Sequence, residues 1–239
     1  MEEAEEPWRW EANQARLQRV RQYVSSGTLL DVGCSTGLFL NVASRYFDAA
    51  GVEPDPPTSE AARACGLNVQ TGTLADVRPP AEGFDAITMF HVIEHLRSPS
   101  EAIRQARALL RPGGVLVIET PTIDTLWFRV TRHRWRQLIP DHYFFFDRAT
   151  LGRLLVASGL EPLEYEKVGR RISLRFAIDR ARRAGLPGAR QAASLVRRLG
   201  LENATFHLRP GDIMSMTATA REAPGSSELG PPAVAKLKM

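Results

Sequence analysis

Residues 28–37 read Thr-Leu-Leu-Asp-Val-Gly-Cys-Ser-Thr-Gly, and this stretch decides the fold. Thr28 to Val32 is a short run of strand formers that stops at Gly33; after Gly37, Leu38 to Tyr46 reads as a helix. A strand, a tight glycine turn and a helix in so short a span open an α/β unit. The turn falls where backbone can approach a ligand closely, because no Cβ intervenes.

Outward from that turn the same alternation continues. Trp10 to Val24 reads as an N-terminal helix, with Leu17, Val20 and Val24 at helical spacing. Downstream come a strand Ala49–Glu53, a helix opened by Pro54 to Pro57 and closed by Gly66 after Cys65, and a strand Leu67–Gln70. Phe84 to Phe90 is nearly continuous in strand formers, as a strand buried on both faces should be. Ser100 is read as the N-cap of a helix to Leu110, and Arg111-Pro-Gly-Gly turns into a strand Val115–Glu119. Strands alternating with helices predict a parallel sheet with crossover helices on both faces.

After Pro121 the pattern loosens. Residues 122–146 carry Trp127, Phe128, Trp135, Tyr143 and three successive phenylalanines, which suits a lid over a cleft. A helix Ala149–Ser158 and strands Leu160–Val168 and Ile213–Ala220 follow. Between those strands lies a basic helical stretch, Gly169 to Gly200, interrupted at Gly185-Leu-Pro-Gly188. The expected organisation is one α/β domain (1–168 with 209–221), a basic helical insertion or cap (169–208) and a disordered tail (222–239) rich in Pro, Gly and Ser.

Composition bounds the function. Hydrophobic residues make up 44 % of the 239 and charged residues 24 %, near the average for globular proteins. No apolar run approaches the ~20 residues of a membrane span, and the acidic start is no secretory signal, so a cytoplasmic protein is expected. Cys34 and Cys65 have no metal-ligand spacing and read as small apolar residues. The net charge of +4 is uneven: Arg129 to Arg209 holds 17 Lys+Arg against 7 Asp+Glu. That balance fits an acidic partner such as phosphate, carboxylate or an anionic membrane surface, or else a plain solvated face. Nothing in the chain speaks to oligomeric state.

The glycine turn also narrows the ligand. A dinucleotide-binding G-x-G-x-x-G aligned from Gly33 needs glycines where Ser35 and Leu38 stand. Asp31 in front of the turn would repel phosphates but can pair with an ammonium group. Glu53, at the end of the second strand, can accept both hydroxyls of a ribose. An amino-acid-bearing nucleoside without phosphates satisfies all three features, and S-adenosylmethionine is that molecule.

Four stretches, LLDVGCSTG (29–37), GVEPD (51–55), FDAITMFHVIEHLRSP (84–99) and LLRPGGVLVIETP (109–121), resemble class I S-adenosylmethionine-dependent methyltransferases, particularly the ubiquinone-biosynthesis O-methyltransferase group. The resemblance implies a Rossmann-like seven-stranded, mostly parallel sheet with one antiparallel strand. It implies that Gly33, Cys34, Ser35 and Gly37 wrap the methionine end of the cofactor, that Glu53 holds the ribose, that Thr73 and Leu74 flank the adenine and that Phe90 lines the site. Asn13-Gln-Ala-Arg-Leu17 is similar to a segment whose arginine, here Arg16, binds the cofactor carboxylate. Relatives usually have Gly where this chain has Ser35.

His91-Val-Ile-Glu-His95 admits three readings. As a string it matches an H-x-x-E-H zinc motif. In the second reading it sits over the sulfonium. There the relatives place Glu, Glu and His near a magnesium ion, and an imidazole in place of the first Glu makes His91 a general base for the acceptor hydroxyl and removes a hard oxygen ligand. In the third, His95 orders its loop and Glu94 pairs with a neighbouring Arg. No metal is assigned. His142, in His-Tyr-Phe-Phe-Phe146, is read as an acceptor contact or as a cap for the helix near Asp147. The expected activity is O-methylation of a small or lipid-linked hydroxyl compound, with sugar, C- or N-transfer or an inactive scaffold as alternatives. No nucleic-acid acceptor is expected, because Phe90-His-Val-Ile stands where a base-binding Asn-Pro-Pro-Tyr string would be. In segment 170–198, Arg170, Arg171, Arg175, Arg180, Arg182, Arg183, Arg197 and Arg198 alternate with apolar residues, so contact with an anionic membrane, a cap or a dimer surface are all open.

Overall fold

The computed structural model describes residues 7–125, 128–129, 135, 137–183, 187–202, 204–208 and 211–220. Helix α1 (Pro7–Arg21) leads into β1 (Gly27–Val32), α2 (Leu38–Ala43), β2 (Phe47–Glu53), α3 (Pro56–Ala64), β3 (Asn68–Thr71), β4 (Phe84–Phe90), α4 (Pro99–Leu109) and β5 (Leu110–Pro121). Then come α5 (Arg148–Ala157), β6 (Leu160–Lys167), β7 (Arg170–Ser173), α6 (Leu174–Arg183), α7 (Ala189–Arg198), β8 (Thr205–Leu208) and β9 (Ile213–Ala220). Seven strands form one sheet in the order β3-β2-β1-β4-β5-β9-β6. All pairings are parallel except those of β9, which runs antiparallel between β5 and β6.

Successive residues of a strand point to opposite faces, and the core divides accordingly. Leu29, Val115 and Val117 pack with Leu17 and Val20 of α1 and Phe39 and Leu40 of α2. Leu30, Leu116 and Ile118 pack with Ile103 of α4 and Leu151 and Leu155 of α5 on the other face. Each of these fully buried leucines and isoleucines contributes about 1.5–3 kcal/mol by leaving water. Local signals set the helix starts. Asp55 caps α3 by accepting the Thr58 amide at 3.1 Å, with prolines in its first turn, and Asp147 caps α5 by accepting the Thr150 amide at 2.7 Å. Helix α4 begins at Pro99 with Ser98 in the cap position, two residues earlier than the predicted Ser100: proline lacks an N–H and fits the first turn, where no intrahelical partner is needed.

The insertion differs from its predicted all-helical form. Arg170–Ser173 and Thr205–Leu208 pair antiparallel as a separate two-stranded ladder, and α6 and α7 stand on that stem. Trp127, read as part of the lid, and the tail, for which disorder is predicted, lie outside the described residues. Trp135 is buried and packs edge-on to Phe128 at 5.0 Å, as a core residue, whereas Tyr143 is exposed.

Candidate cofactor and acceptor site

The strand order reverses between β1 and β4, which is where open α/β sheets leave a crevice at their carboxyl ends. A cavity of about 560 Å³ opens there. Asp31, Gly33, Cys34 and Ser35 line it from β1 and its turn, Phe90 and His91 from the end of β4, Glu119 from β5, and Arg16 and Arg19 from α1. Its size is in the usual range for a small-molecule site. Seven of the predicted residues, Arg16, Asp31, Gly33, Cys34, Ser35, Phe90 and His91, thus share one cavity.

The turn after β1 is built by backbone geometry. Gly33 has φ +67°, and a Cβ there would lie 2.6 Å from Val92 Cγ2; Gly37 has φ +83° and abuts Leu67. Ser35 takes φ +51° without being glycine, and its amide donates to Glu53 Oε2 at 2.9 Å. Glu53 Oε1 accepts the Asp55 amide at 3.0 Å, so the carboxylate is locked at the end of β2 behind the turn and does not line the cavity. Gly37 and the segment at Thr73 and Leu74 also lie outside the lining. Thr73 is occupied with Asp76, its amide and hydroxyl each donating to Asp76 Oδ2 at 2.8 Å. Asp31 is buried beside Thr88, whose hydroxyl donates to it at 2.6 Å; burial pushes the Asp31 carboxyl up to about 7 against the pull of that bond and of Arg16. Burial likewise pushes the Cys34 thiol up to about 12, which makes it an inert packing residue.

Glu119 is the hub that the sequence does not announce. It is buried at the end of β5, and Arg16 meets its Oε1 through Nη2 at 2.5 Å and Nε at 3.2 Å. Arg19 reaches Oε2 at 3.3 Å, and His91 Nε2 lies 3.2 Å from Oε1. Burial works against the charge of Glu119, yet Arg16 and His91 hold it well below the usual carboxylate range. His91 also has φ +59°, a strained conformation for a residue with a Cβ. Its second nitrogen, Nδ1, lies 3.3 Å from Glu94 Oε1. Burial opposes protonation, but the hydrogen bonds to Glu119 and Glu94 outweigh it and push His91 up to about 9. An imidazolium with both N–H groups spent on carboxylates cannot take a proton from an acceptor. The general-base expectation for His91 is therefore corrected: it is a cationic clamp between β4 and β5.

Among the described residues Glu94 has no arginine partner. The Thr120 hydroxyl donates to its Oε2 at 2.9 Å and His91 holds Oε1, which together lower its pKa although burial raises it. Beside it, His95 and His142 stack edge to face with ring centroids 4.7 Å apart. His95 Nδ1 is 2.9 Å from the Asp141 carbonyl and His142 Nδ1 is 2.8 Å from the Gln137 carbonyl. A carbonyl only accepts, so in each ring Nδ1 is the donor. His142 does not cap α5; Asp147 does. Burial lowers the pKa of His142, leaving it neutral at pH 7. Glu94, His95 and His142 bring ligand-type atoms within 4.8 Å of one another, one hydrogen-bonded step from the cavity wall at His91.

An open α/β sheet with an acid-fronted glycine turn and a crevice at its switch point defines a Rossmann-like methyltransferase fold. The chain belongs to the methyltransferase-domain family, whose model matches residues 8–165, and with it to the class I S-adenosylmethionine-dependent methyltransferases. It is 30 % identical over 164 residues to a probable S-adenosylmethionine-dependent methyltransferase of Mycolicibacterium smegmatis, covering 66 % of this chain and 61 % of that protein. It is 33 % identical over 129 residues to the tRNA U34 carboxymethyltransferase of Shewanella denitrificans, covering 49 % and 37 %. The matched region thus spans less than two thirds of either relative. A solved S-adenosylmethionine-dependent methyltransferase of Thermotoga maritima, described as a possible histamine N-methyltransferase, superposes with TM-score 0.59 at 21 % identity over 87 % of this chain and 89 % of that one. Magnesium protoporphyrin IX methyltransferase of Synechocystis PCC 6803, solved with bound S-adenosylhomocysteine, gives TM-score 0.57 at 14 % identity over 89 % and 83 %. The cofactor of this family, S-adenosylmethionine, suits the residues present: a buried acid faces the cavity beside a glycine turn, with arginines above it. Among the described residues, no helix is long and apolar enough to cross a membrane.

Proposed function

We propose that this chain transfers the methyl group of S-adenosylmethionine to a hydroxyl oxygen of a small or lipid-linked acceptor. In this reading Asp31 pairs with the cofactor ammonium and Arg16 turns part of its guanidinium to the carboxylate. Gly33, Cys34, Ser35 and Gly37 enclose the methionine end and Phe90 packs alongside; Glu53, whose carboxylate oxygens keep lone pairs beside the amides they hold, takes the ribose hydroxyls where the cofactor extends past the cavity lining toward Thr73 and Leu74, which border the adenine. When bound, the cofactor supplies an activated methyl on a sulfonium. The protein's part is then alignment, exclusion of water and removal of one proton. His142, whose charged form burial disfavours, accepts that proton at Nε2; Glu94 stabilises the imidazolium that results.

The observation that carries the hydroxyl reading is this pair of imidazoles, each with Nδ1 held by a carbonyl. A hydroxyl must lose its proton as the methyl arrives, and a general base beside the site serves that need. The test is incubation with cofactor labelled in the methyl group and fractionated extracts of the source cells. Label is expected in small-molecule or organic-soluble product, and His142→Ala should lower turnover by about 10²–10⁴-fold while cofactor affinity is kept. Unchanged turnover in His142→Ala would remove the base. A second reading, transfer to RNA, is favoured by the tRNA-modifying relative alone; label recovered in the RNA fraction would replace the first reading with it.

A further inference from the structure

The helix pair on the β7–β8 stem carries an apolar stripe that the fold leaves open. In α7, Ala189, Ala192, Ala193, Leu195 and Val196, with Leu199 just past the helix, fall on one arc at helical spacing. Ala189, Ala193 and Val196 are the covered half of that arc, whereas Ala192, Leu195 and Leu199 are exposed. Leu195 and Leu199 keep 58 % and 59 % of their surface open, and Leu201 follows with 44 %. Segment 170–198 holds nine arginines against one acid, Asp179. Arg175, Arg182, Arg190, Arg197 and Arg198 are exposed. Arg182 meets Asp179 at 3.6 Å and Arg197 meets Glu202 at 3.4 Å, exposed pairs of the kind that cost little to exchange.

The stem is rooted at the cavity. Val168 and Gly169, the residues just before β7, line it, and β7 touches α1, which supplies Arg16 and Arg19 to the same space. We propose that the Ala192–Leu195–Leu199 stripe and its arginine border dock on an anionic lipid bilayer, setting the cavity beside the membrane surface. A basic amphipathic helix lying in the interface buries such a stripe and places its cations among the headgroups. The alternatives use only half of the surface. A nucleic acid would engage the arginines and leave the leucines in water; a second copy would cover the leucines but oppose two equally basic faces. The inference concerns binding alone, so its failure leaves the methyl-transfer reading intact.

The experiment is flotation of the full chain with vesicles of phosphatidylcholine alone or mixed with phosphatidylglycerol. Binding is expected only to the anionic vesicles, weakening as salt shortens the electrostatic range. Leu195→Asp with Leu199→Asp should weaken it about a hundredfold, as loss of two buried leucines implies, with the thermal midpoint and cofactor affinity unchanged. Arg190→Gln with Arg198→Gln, which leaves the stripe intact, should weaken binding and flatten its salt dependence. Three results would overturn the proposal: no flotation of the intact chain at low salt, a dimer that the double Asp variant dissociates, or binding to tRNA that the double Asp variant retains in full.

Discussion

A carboxylate sealed from water at a strand end is costly to ionise, and Asp31, pushed up to about 7 by burial, is in that position. If it pairs with the cofactor ammonium it must be charged in the complex. Above about pH 7 it already is; below, binding must expel a proton. Cofactor affinity measured by calorimetry should therefore be flat above that pH and fall by up to about tenfold per unit below it. Asp31→Asn should bind more weakly throughout and lose the slope; a wild-type affinity independent of pH from 5 to 8 would refute the pairing. Asp31 and Glu53 were legible because each ends a strand and follows directly from the local pattern. Glu119 was not: its partner Arg16 lies 103 residues away, and only the β4–β5 register, Phe90 opposite Glu119, brings His91 to it. The protonated state of His91 was illegible for the same reason, since Glu94 is local but the second carboxylate, Glu119, comes from β5.

At the scale of elements, the decisive join is the turn from β1 into α2. Gly37 opens the helix at φ +83°, and an added Cβ would press on the side chain of Leu67, the residue just before β3. Two separable costs follow for Gly37→Ala: backbone strain of about 1–3 kcal/mol, and the clash. Urea unfolding should show the single variant destabilised by at least the strain. In a Leu67→Ala background the same substitution should cost less by the clash alone, leaving the strain in place. Equal costs in both backgrounds would mean that Leu67 yields freely and that conformation alone demands the glycine. The elements themselves were mostly readable, because the short apolar runs of β1 and β5 and signals such as the prolines at 54–57 and Gly66 are local facts. The early start of α4 was missed by weighing a serine above the proline before it. The ladder of β7 and β8 was missed because two four-residue strands more than thirty residues apart carry no local sign of each other.

Across the whole molecule, sheet and insertion carry separate burdens. The two cores account for α1 to α5 and the seven-stranded sheet, while within 170–208 the only residue buried among those described is Ala189. Val168 still donates to the Ile213 carbonyl at 2.9 Å, so β6 and β9 hold their antiparallel register up to the root of the insertion without help from it. Replacing residues 170–208 by Asn-Gly should then leave a folded domain: Gly169, the two new residues and residues 209–212 make a seven-residue loop from Val168 to Ile213, enough to join antiparallel strands. Val168 and Gly169 stay in place, so the lining of the cavity is kept, and cofactor affinity should change by no more than a few fold. Some loss of thermal midpoint is expected from the severed contact between β7 and α1. An insoluble or molten product would show that the helix pair completes the core rather than standing outside it, and would shift the domain boundary drawn at residue 168.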